Sequence, residues 1–193
     1  MKEGSYPWPG NFYTGNSLSP VAIVTLAEDI DFDQEKVAIW GPLRTENLGI
    51  ERVIANTIYN PNIRYLLICG DEIRGHKSGS SLMALSDNGI DENGRIIDSP
   101  GALPYIENIT REAIERFQNQ IETVDLIGIT SKDEIEGVVE KYIKKDPEPF
   151  RDSYLAIKIK KKVRSTIKSN IALHSFINIS VWGCISDSKQ EVG

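Results

Sequence analysis

Short apolar runs alternate along the chain with longer segments in which apolar residues recur every three or four positions. Four of the runs have the length and composition of buried strands, namely residues 21–26, 37–41, 64–70 and 124–129. Run 64–70 is almost continuously apolar, which is typical of a central strand covered on both faces. The alternation predicts βαβ units and a largely parallel sheet.

The helical segments carry capping signals at their starts. The expected first residues or caps are Thr45, Ser78, Thr110 and Ser131. Ser131 and Glu134 together form a capping box, and Gly89 is expected to end the helix that begins at Ser78. The sequence therefore predicts a single α/β domain with helices on both faces of a mainly parallel sheet.

Two segments interrupt this alternation. Turn-forming residues are frequent between residues 86 and 108, where Asn93-Gly94 predicts a small hairpin with a two-residue turn. In residues 154–160 the apolar residues Leu155, Ile157 and Ile159 alternate with other residues, among them lysines, which predicts a half-exposed or edge strand. We therefore place an α/β domain at residues 1–150 and a C-terminal basic strand and tail at residues 151–193.

Composition narrows the classes of function. The 193 residues carry a formal net charge of −6, which argues against nucleic-acid binding. Cys69 and Cys184 are far apart and form neither a disulfide framework nor a zinc motif. The N-terminus lacks the apolar segment of a signal peptide, and the most apolar window, residues 171–185, is short and interrupted by polar residues. We expect a cytoplasmic protein without a clear membrane span.

Residues 69–80 nearly spell a phosphate-binding loop. His76 is the departure, because it separates Gly75 from Lys77 and moves the lysine by one position. Nucleotide hydrolysis is therefore disfavoured. A second interpretation, in which His76 is a solvated loop residue between turn-forming glycines, stays open.

A third interpretation makes His76 a metal ligand. Neutral imidazole suits transition metals, but one histidine does not hold a free metal ion, because protein sites normally supply three or four ligands. It can complete the coordination of a metal whose other ligands come from a macrocycle. Residues 76–79 also match the H-x-x-G part of the D-x-H-x-x-G loop of many cobalamin-binding domains, although Arg74 stands where that loop has its aspartate.

Four segments together resemble one family. Residues 41–50, 60–64, 69–80 and 101–108 are similar, in this order, to the A subunit of tetrahydromethanopterin S-methyltransferase, MtrA. That protein is the corrinoid-carrying component of a membrane complex in methanogenic archaea. The resemblance extends over residues 6–143, and it implies a Rossmann-like α/β domain that holds a cobamide with its cobalt facing His76.

The resemblance also implies an activity. Cobalt(I) would accept a methyl group from methyl-tetrahydromethanopterin and pass it to coenzyme M, so that the protein is a methyltransferase component that is not active alone. The expected partners are the corrinoid and other methyltransferase subunits or a partner methyltransferase, through which the protein would associate with the membrane. The alternative is a stand-alone corrinoid-binding protein for storage, delivery or another methyl-transfer system.

Three loops are expected to converge on the corrinoid, at residues 41–47, 70–80 and 101–108. His76 is the expected cobalt ligand, and no catalytic side chain is expected besides the cofactor. The other cofactor-binding candidates are Thr45, Asn47, Gly75, Ser78, Gly79, Ser80, Pro104 and Tyr105. For Thr45 and Ser78, local helix capping is the alternative.

The C-terminal part departs from the family pattern. Members that work in the membrane complex end in a transmembrane helix, which this sequence does not clearly show. The basic run at residues 158–164 is either a solvated edge or a patch for docking to a partner or a membrane surface. These departures favour a soluble paralogue of the family.

Overall fold

The computed structural model of the protein describes residues 6–73, 75–156, 177–179 and 185–187. Contacts divide the chain into two units, residues 1–159 and residues 160–193. The candidate site residues all belong to the first unit, so its architecture decides how they are placed.

A five-stranded sheet forms the centre of the first unit. Its strands are β1 (Tyr13–Thr14), β2 (Val21–Val24), β3 (Ile39–Gly41), β4 (Tyr65–Gly70) and β5 (Glu122–Ile127). Their order is β1-β3-β2-β4-β5, and all pairs are parallel except β1 with β3. Every residue of β4 is buried, as its continuous apolar run predicts. The mainly parallel sheet is confirmed.

Helices cover both faces of this sheet. They are α1 (Leu48–Tyr59), α2 (Ser78–Asn88), α3 (Arg111–Gln120) and α4 (Lys132–Ile143). Ile54, Leu82 and Phe117 of the first three helices belong to one buried cluster, whereas Ile135 and Val139 of α4 belong to another. Residues of β4 alternate between the two clusters, because successive side chains of a strand point to opposite faces. The α/β fold with helices on both faces is confirmed, and it is compatible with a Rossmann-like domain.

The second unit contains one described feature, an antiparallel pair of β6 (Ile177–Ile179) and β7 (Ile185–Asp187). The strand predicted at residues 154–160 lies mostly outside the described residues, and residues 154–156 are not in a strand. The basic run at residues 158–164 lies outside them altogether. No helix in the described part of the chain is long and apolar enough to cross a membrane.

Local capping signals set most of the helix ends. Side-chain oxygens of Thr45, Thr110 and Ser131 accept backbone N–H groups of α1, α3 and α4, respectively. Gly89 ends α2 with a φ of 71°. The start of α2 differs from the other three, because Lys77 precedes Ser78 and makes no side-chain capping bond.

The hairpin near residue 93 has a longer turn than the sequence predicts. The Asp91 N–H donates to Arg95 O at 2.8 Å, so residues 92–94 form the loop. Asp91 Oδ1 accepts the Asn93 N–H at 2.8 Å, and Gly94 takes a φ of 81°. The prediction of a two-residue turn is wrong, because the Asp91 side chain stabilises a three-residue turn with glycine in the left-handed position.

The order of the strands creates a crevice at one edge of the sheet. β3 lies on one side of β2 and β4 on the other, so the carboxyl ends of β2 and β4 flank the place where such sheets usually bind ligands. Gly70 ends β4 there with a φ of +88°, and a Cβ on it would lie 2.5 Å from Thr25 O. Glycine is required at this position, because both the backbone conformation and the neighbouring carbonyl oppose a side chain.

Gln120 joins several elements at the opposite edge of the sheet. Its side chain is buried, and its Nε2 donates to Asn60 O at 3.0 Å and to Ile63 O at 3.1 Å. Its Oε1 accepts a hydrogen bond from Arg116 Nε at 2.8 Å. Arg116 also donates to Phe150 O at 2.7 Å, which holds the segment after α4 against α3.

We expect Gln120→Leu to lower the free energy of unfolding by about 2–3 kcal/mol, because buried carbonyl groups lose their donor. Asn119→Ala on the same helix is the matched control: the exposed Asn119 amide donates to Glu115 O, and the expected loss is below about 0.5 kcal/mol. Urea denaturation measures both. Equal losses for the two variants would contradict a stabilising role of the Gln120 network.

Candidate functional site

His76 lies in the loop between β4 and α2, at the carboxyl edge of the sheet. Its side chain is 51% exposed, and its backbone N–H donates to Ile73 O at 2.8 Å. The preceding Gly75 has a φ of +84°, and a Cβ on it would meet no atom within 4 Å. The prediction of a loop position at a carboxyl end is confirmed.

A carboxylate from a different loop orients the imidazole of His76. Glu46 Oε2 lies 2.9 Å from His76 Nδ1, and only 4% of the Glu46 side chain is exposed. An ionised carboxylate accepts hydrogen bonds but cannot donate them, so the proton of a neutral His76 resides on Nδ1. The Nε2 lone pair is thereby left free to bind a metal.

The second oxygen of Glu46 holds a third loop. Glu46 Oε1 accepts the Ala102 N–H at 3.0 Å. Burial alone would raise the pKa of the Glu46 carboxyl, but the hydrogen bonds from its own backbone, from His76 and from Ala102 bring the pKa below its ordinary value. Glu46 is therefore a charged group at neutral pH that bridges two loops.

Two further contacts bring the predicted loops together. Ser78 Oγ donates to Leu43 O at 2.8 Å, which joins the start of α2 to the loop after β3. The buried carboxylate of Glu51 accepts the backbone N–H groups of Glu107 and Asn108. The expected convergence of the loops at residues 41–47, 70–80 and 101–108 is confirmed.

Several of the predicted cofactor-binding residues have local roles. Thr45 Oγ1 accepts the Gly49 N–H in the first turn of α1 at 2.9 Å, and Oδ1 of Asn47, the N-cap residue of α1, accepts the Leu48 N–H at 2.7 Å. Ser78 is fully buried, so its hydroxyl is engaged with Leu43 O. The Thr45 contact matches the local alternative, whereas Ser78 makes a long-range contact and does not cap α2. A contact of either residue with a cofactor stays a prediction.

The other candidates differ in exposure. Ser80 is half-buried, while Pro104 is buried and its carbonyl accepts the Ile96 N–H at 2.8 Å. Tyr105 is 38% exposed and lies against the Arg95 guanidinium. Gly79 is buried, and a Cβ on it would lie 2.9 Å from two methyl carbons of Leu26. Their contacts with a cofactor also stay predictions.

Glu72 occupies the place where a phosphate would bind in a phosphate-binding loop. Its two carboxylate oxygens accept the N–H groups of Gly79 at 3.1 Å and Ser80 at 2.7 Å. Free N–H groups at a helix start are what a phosphate requires. Because an anionic side chain already binds these groups, the loop is not arranged for nucleotide phosphates.

The environment does not offer His76 a set of protein ligands for a free metal ion. Among the described residues, no three His, Cys, Asp or Glu side chains are grouped so that they could hold one. Burial raises the pKa of the Cys69 thiol to about 12, and this thiol donates to Val24 O at 3.4 Å. A metal at His76 would need its remaining ligands from a molecule that brings them.

The carboxylates of the site are the residues that sequence reasoning missed. Glu46, Glu51 and Glu72 all accept backbone N–H groups of the converging loops. One signal was available for Glu46. Since Arg74 replaces the expected aspartate, a carboxylate for His76 has to come from another loop at the same edge, and Glu46 follows strand β3, which β2 separates from β4.

A separate hollow of about 830 Å³ lies against β1 and β3. Its lining includes Tyr13, Asp29, Asp31, Phe32 and Trp40. None of its lining residues belongs to the three converging loops. The candidate site is therefore the region around His76, where hydrogen bonds join three loops.

Comparison with known proteins points to one family. The MtrA family model, described as the A subunit of tetrahydromethanopterin S-methyltransferase, matches residues 1–166. A Methanosarcina barkeri protein, provisionally named as the A subunit of methyltransferase Mtx, is 49% identical over 86% of this chain and 85% of that protein. The A 1 and A 2 subunits of tetrahydromethanopterin S-methyltransferase from Methanothermobacter thermautotrophicus are 48% and 44% identical. These matches cover 82% and 79% of this chain, and 69% and 86% of the two relatives.

We expect Glu46→Gln to lower the free energy of unfolding by about 1–2 kcal/mol at neutral pH, because a charge-assisted acceptor is lost. The folded state depresses the Glu46 pKa, so this stabilisation is complete above the ordinary carboxyl pKa of 4.5 and disappears as pH falls below it. Urea denaturation between pH 3 and pH 7 measures the difference. Glu92→Gln, at an exposed loop position, is the control, and a difference that persists unchanged in acid would contradict the assignment.

We expect Glu72→Ala to destabilise the protein by about 1 kcal/mol, because the first N–H groups of α2 lose their acceptor. Thermal denaturation measures this loss.

Addition of magnesium-ATP to the wild type should leave the melting temperature unchanged, and a clear increase would restore the phosphate-loop interpretation.

Proposed function

Because the chain belongs to the MtrA family of tetrahydromethanopterin S-methyltransferase, and is thus a methyltransferase component, we propose that it carries a cobamide at His76. In this proposal the methyl group comes from methyl-tetrahydromethanopterin and goes to coenzyme M. The cobamide and the other subunits of the methyltransferase are the partners.

The single observation that carries the proposal is the contact between Glu46 and His76. Cobalamin-binding domains with the D-x-H-x-x-G loop use the aspartate to orient the histidine, and Arg74 removes that aspartate here. Glu46 supplies a carboxylate at 2.9 Å from Nδ1 instead. A carboxylate on one ring nitrogen raises the basicity of the other, which is the usual way to prepare a histidine for a metal.

The surroundings of His76 fit a large macrocyclic ligand. The imidazole is half-exposed and follows a glycine with open space around its Cα, so a broad ring can approach the loop. The neighbouring loop exposes the apolar side chains of Leu103 and Tyr105. A corrin brings its own nitrogen ligands for cobalt, so His76 would be the one ligand that the protein needs to supply.

The roles of the residues follow from this geometry. His76 Nε2 would hold the metal, and Glu46 keeps the proton on Nδ1. When bound, the cobamide supplies a nucleophilic metal centre for methyl transfer. The buried carboxylates of Glu46 and Glu51 hold the loop at residues 101–108 in place beside it.

The alternative is a stand-alone corrinoid-binding protein that stores or delivers the cofactor or serves another methyl-transfer system. The observation that favours it is the similarity to the Mtx protein, which bears the name of a different methyltransferase and is 49% identical, as high as the 48% and 49% identities to two A 1 subunits of tetrahydromethanopterin S-methyltransferase. Both alternatives include cobamide binding. Incubation of the loaded and reduced protein with methyltransferase subunits and methyl-tetrahydromethanopterin separates them, because only the proposed function predicts methylation from this donor.

We expect purified wild type to bind hydroxocobalamin and to change its visible spectrum, because His76 Nε2 would bind the cobalt. His76→Ala should bind more weakly and keep the spectrum of the free cofactor, with an unchanged fold because His76 is exposed. Glu46→Gln should weaken binding by roughly 10- to 100-fold, as losses of a carboxylate behind a metal-bound histidine commonly do.

Lys77→Ala is the matched control in the same loop, since Lys77 is exposed and its variant should bind as the wild type does. Spectrophotometric titration with circular dichroism of each variant makes the measurement. Identical spectra of the bound cofactor in the wild type and in His76→Ala would show that His76 does not bind the cobalt.

A further inference from the structure

The hollow beside β1 and β3 has an aromatic wall. Its volume of about 830 Å³ is that of a small-molecule site. Tyr13 stacks on Trp40 with the ring centroids 5.6 Å apart and an angle of 24° between the planes, and Phe32 meets Trp40 edge to face at 6.3 Å. Tyr13 is nevertheless 51% exposed. The face of its ring that does not lie on Trp40 is therefore open to a ligand.

Three aspartates between β2 and β3 make the lining of the hollow acidic. Asp29, Asp31 and Asp33 are exposed, and no lysine, arginine or histidine is among the described residues that line it. Within the described part of the chain, the carboxylates of Asp29 and Asp31 form no hydrogen bond or ion pair. Lys36, in the same segment, is bound to Glu140 at 2.8 Å instead. The hollow therefore presents negative charge that is available to a ligand.

The arrangement of these carboxylates suits an organic cation better than a metal ion. Among the residues that the structure describes, no three acidic, histidine or cysteine side chains are grouped so that they could hold a metal. Aromatic faces attract cations, and a guanidinium group is planar, stacks on aromatic rings and pairs with carboxylates through two hydrogen bonds. The combination of open ring and unpaired carboxylates therefore matches a guanidinium.

Trp40 provides a second, independent indication of a ligand. It lines the hollow and is 3% exposed, and its buried Nε1 has no hydrogen-bond partner among the described residues. The indole N–H can only donate, and buried donors are normally satisfied by the protein or by a bound molecule. A ligand that completes the hollow therefore carries an acceptor oxygen beside its cationic group.

We propose that the hollow beside β1 and β3 is a binding site for an organic cation of the arginine type. The guanidinium stacks on Tyr13 and pairs with Asp29 and Asp31. A carboxylate or carbonyl oxygen of the same ligand accepts the Trp40 N–H. Free arginine and an arginine residue of a partner protein share this chemistry. The site does not depend on the proposed cobamide, because none of its lining residues belongs to the loops around His76.

An NMR titration of the full-length, isotope-labelled protein tests the proposal. The indole N–H signal of Trp40, assigned with Trp40→Phe, is the reporter. The probes are free arginine and the peptide acetyl-Gly-Arg-Gly-amide, and the control is citrulline, in which a neutral urea group replaces the guanidinium. We expect a probe to shift the Trp40 signal and citrulline to bind at least roughly fivefold more weakly.

The titration also distinguishes the two sources of the cation. Tighter binding of free arginine identifies a small molecule, and tighter binding of the peptide identifies an arginine of a partner protein. Absence of a shift with both probes, or an equal response to citrulline, overturns the proposal. Calcium chloride, compared with sodium chloride at the same ionic strength, should leave the Trp40 signal in place, and a calcium-specific shift would also overturn it.

Variants of exposed residues locate the site. Asp29→Asn combined with Asp31→Asn should weaken binding roughly fivefold, and Tyr13→Leu should weaken it roughly threefold. Glu35→Gln is the matched control, because Glu35 is exposed in the same segment but does not line the hollow, and its effect should stay below about twofold. Equal losses in Glu35→Gln and in the double variant would indicate only a general attraction between charges and would refute the site.

Discussion

A buried carboxylate determines how the carboxyl edge of the sheet is organised. A charge that is 4% exposed is stable only when hydrogen-bond donors replace the water that it has lost. For Glu46 the donors are the His76 imidazole and the Ala102 amide, which come from two different loops. Because an unpaired buried charge is costly, this one side chain holds both loops beside the start of α1.

The same solution recurs around the site. Glu51 and Glu72 also place carboxylates on backbone N–H groups of the loops, at the end of the 101–108 loop and at the start of α2. Loop backbones near a binding edge lack the partners that strands and helices give one another, so their N–H groups need other acceptors. At α2 the consequence is chemical as well as structural, because the acceptor occupies the position that a phosphate would require.

The pair of Glu46 and His76 shows why a histidine oriented by a carboxylate is poorly recognised by spacing alone. An orienting carboxylate must lie near Nδ1, but its position in the chain is free as long as the fold brings it there. In this protein it lies 30 residues before the histidine, in the loop after a different strand. The proposed cobamide site therefore keeps the geometry of a carboxylate–imidazole pair without the sequence motif.

The sequence by itself determined the four parallel strands, the N-caps of α3 and α4 and the loop position of His76, because each depends on residues a few positions apart. Continuous burial of β4 and the cap at Thr110 are examples. The sequence did not show β1. Only the tertiary structure decided that Glu46 would meet His76. That contact depends on the order of strands β3, β2 and β4, which no local pattern encodes, because the spatial order of strands follows from how the whole sheet packs.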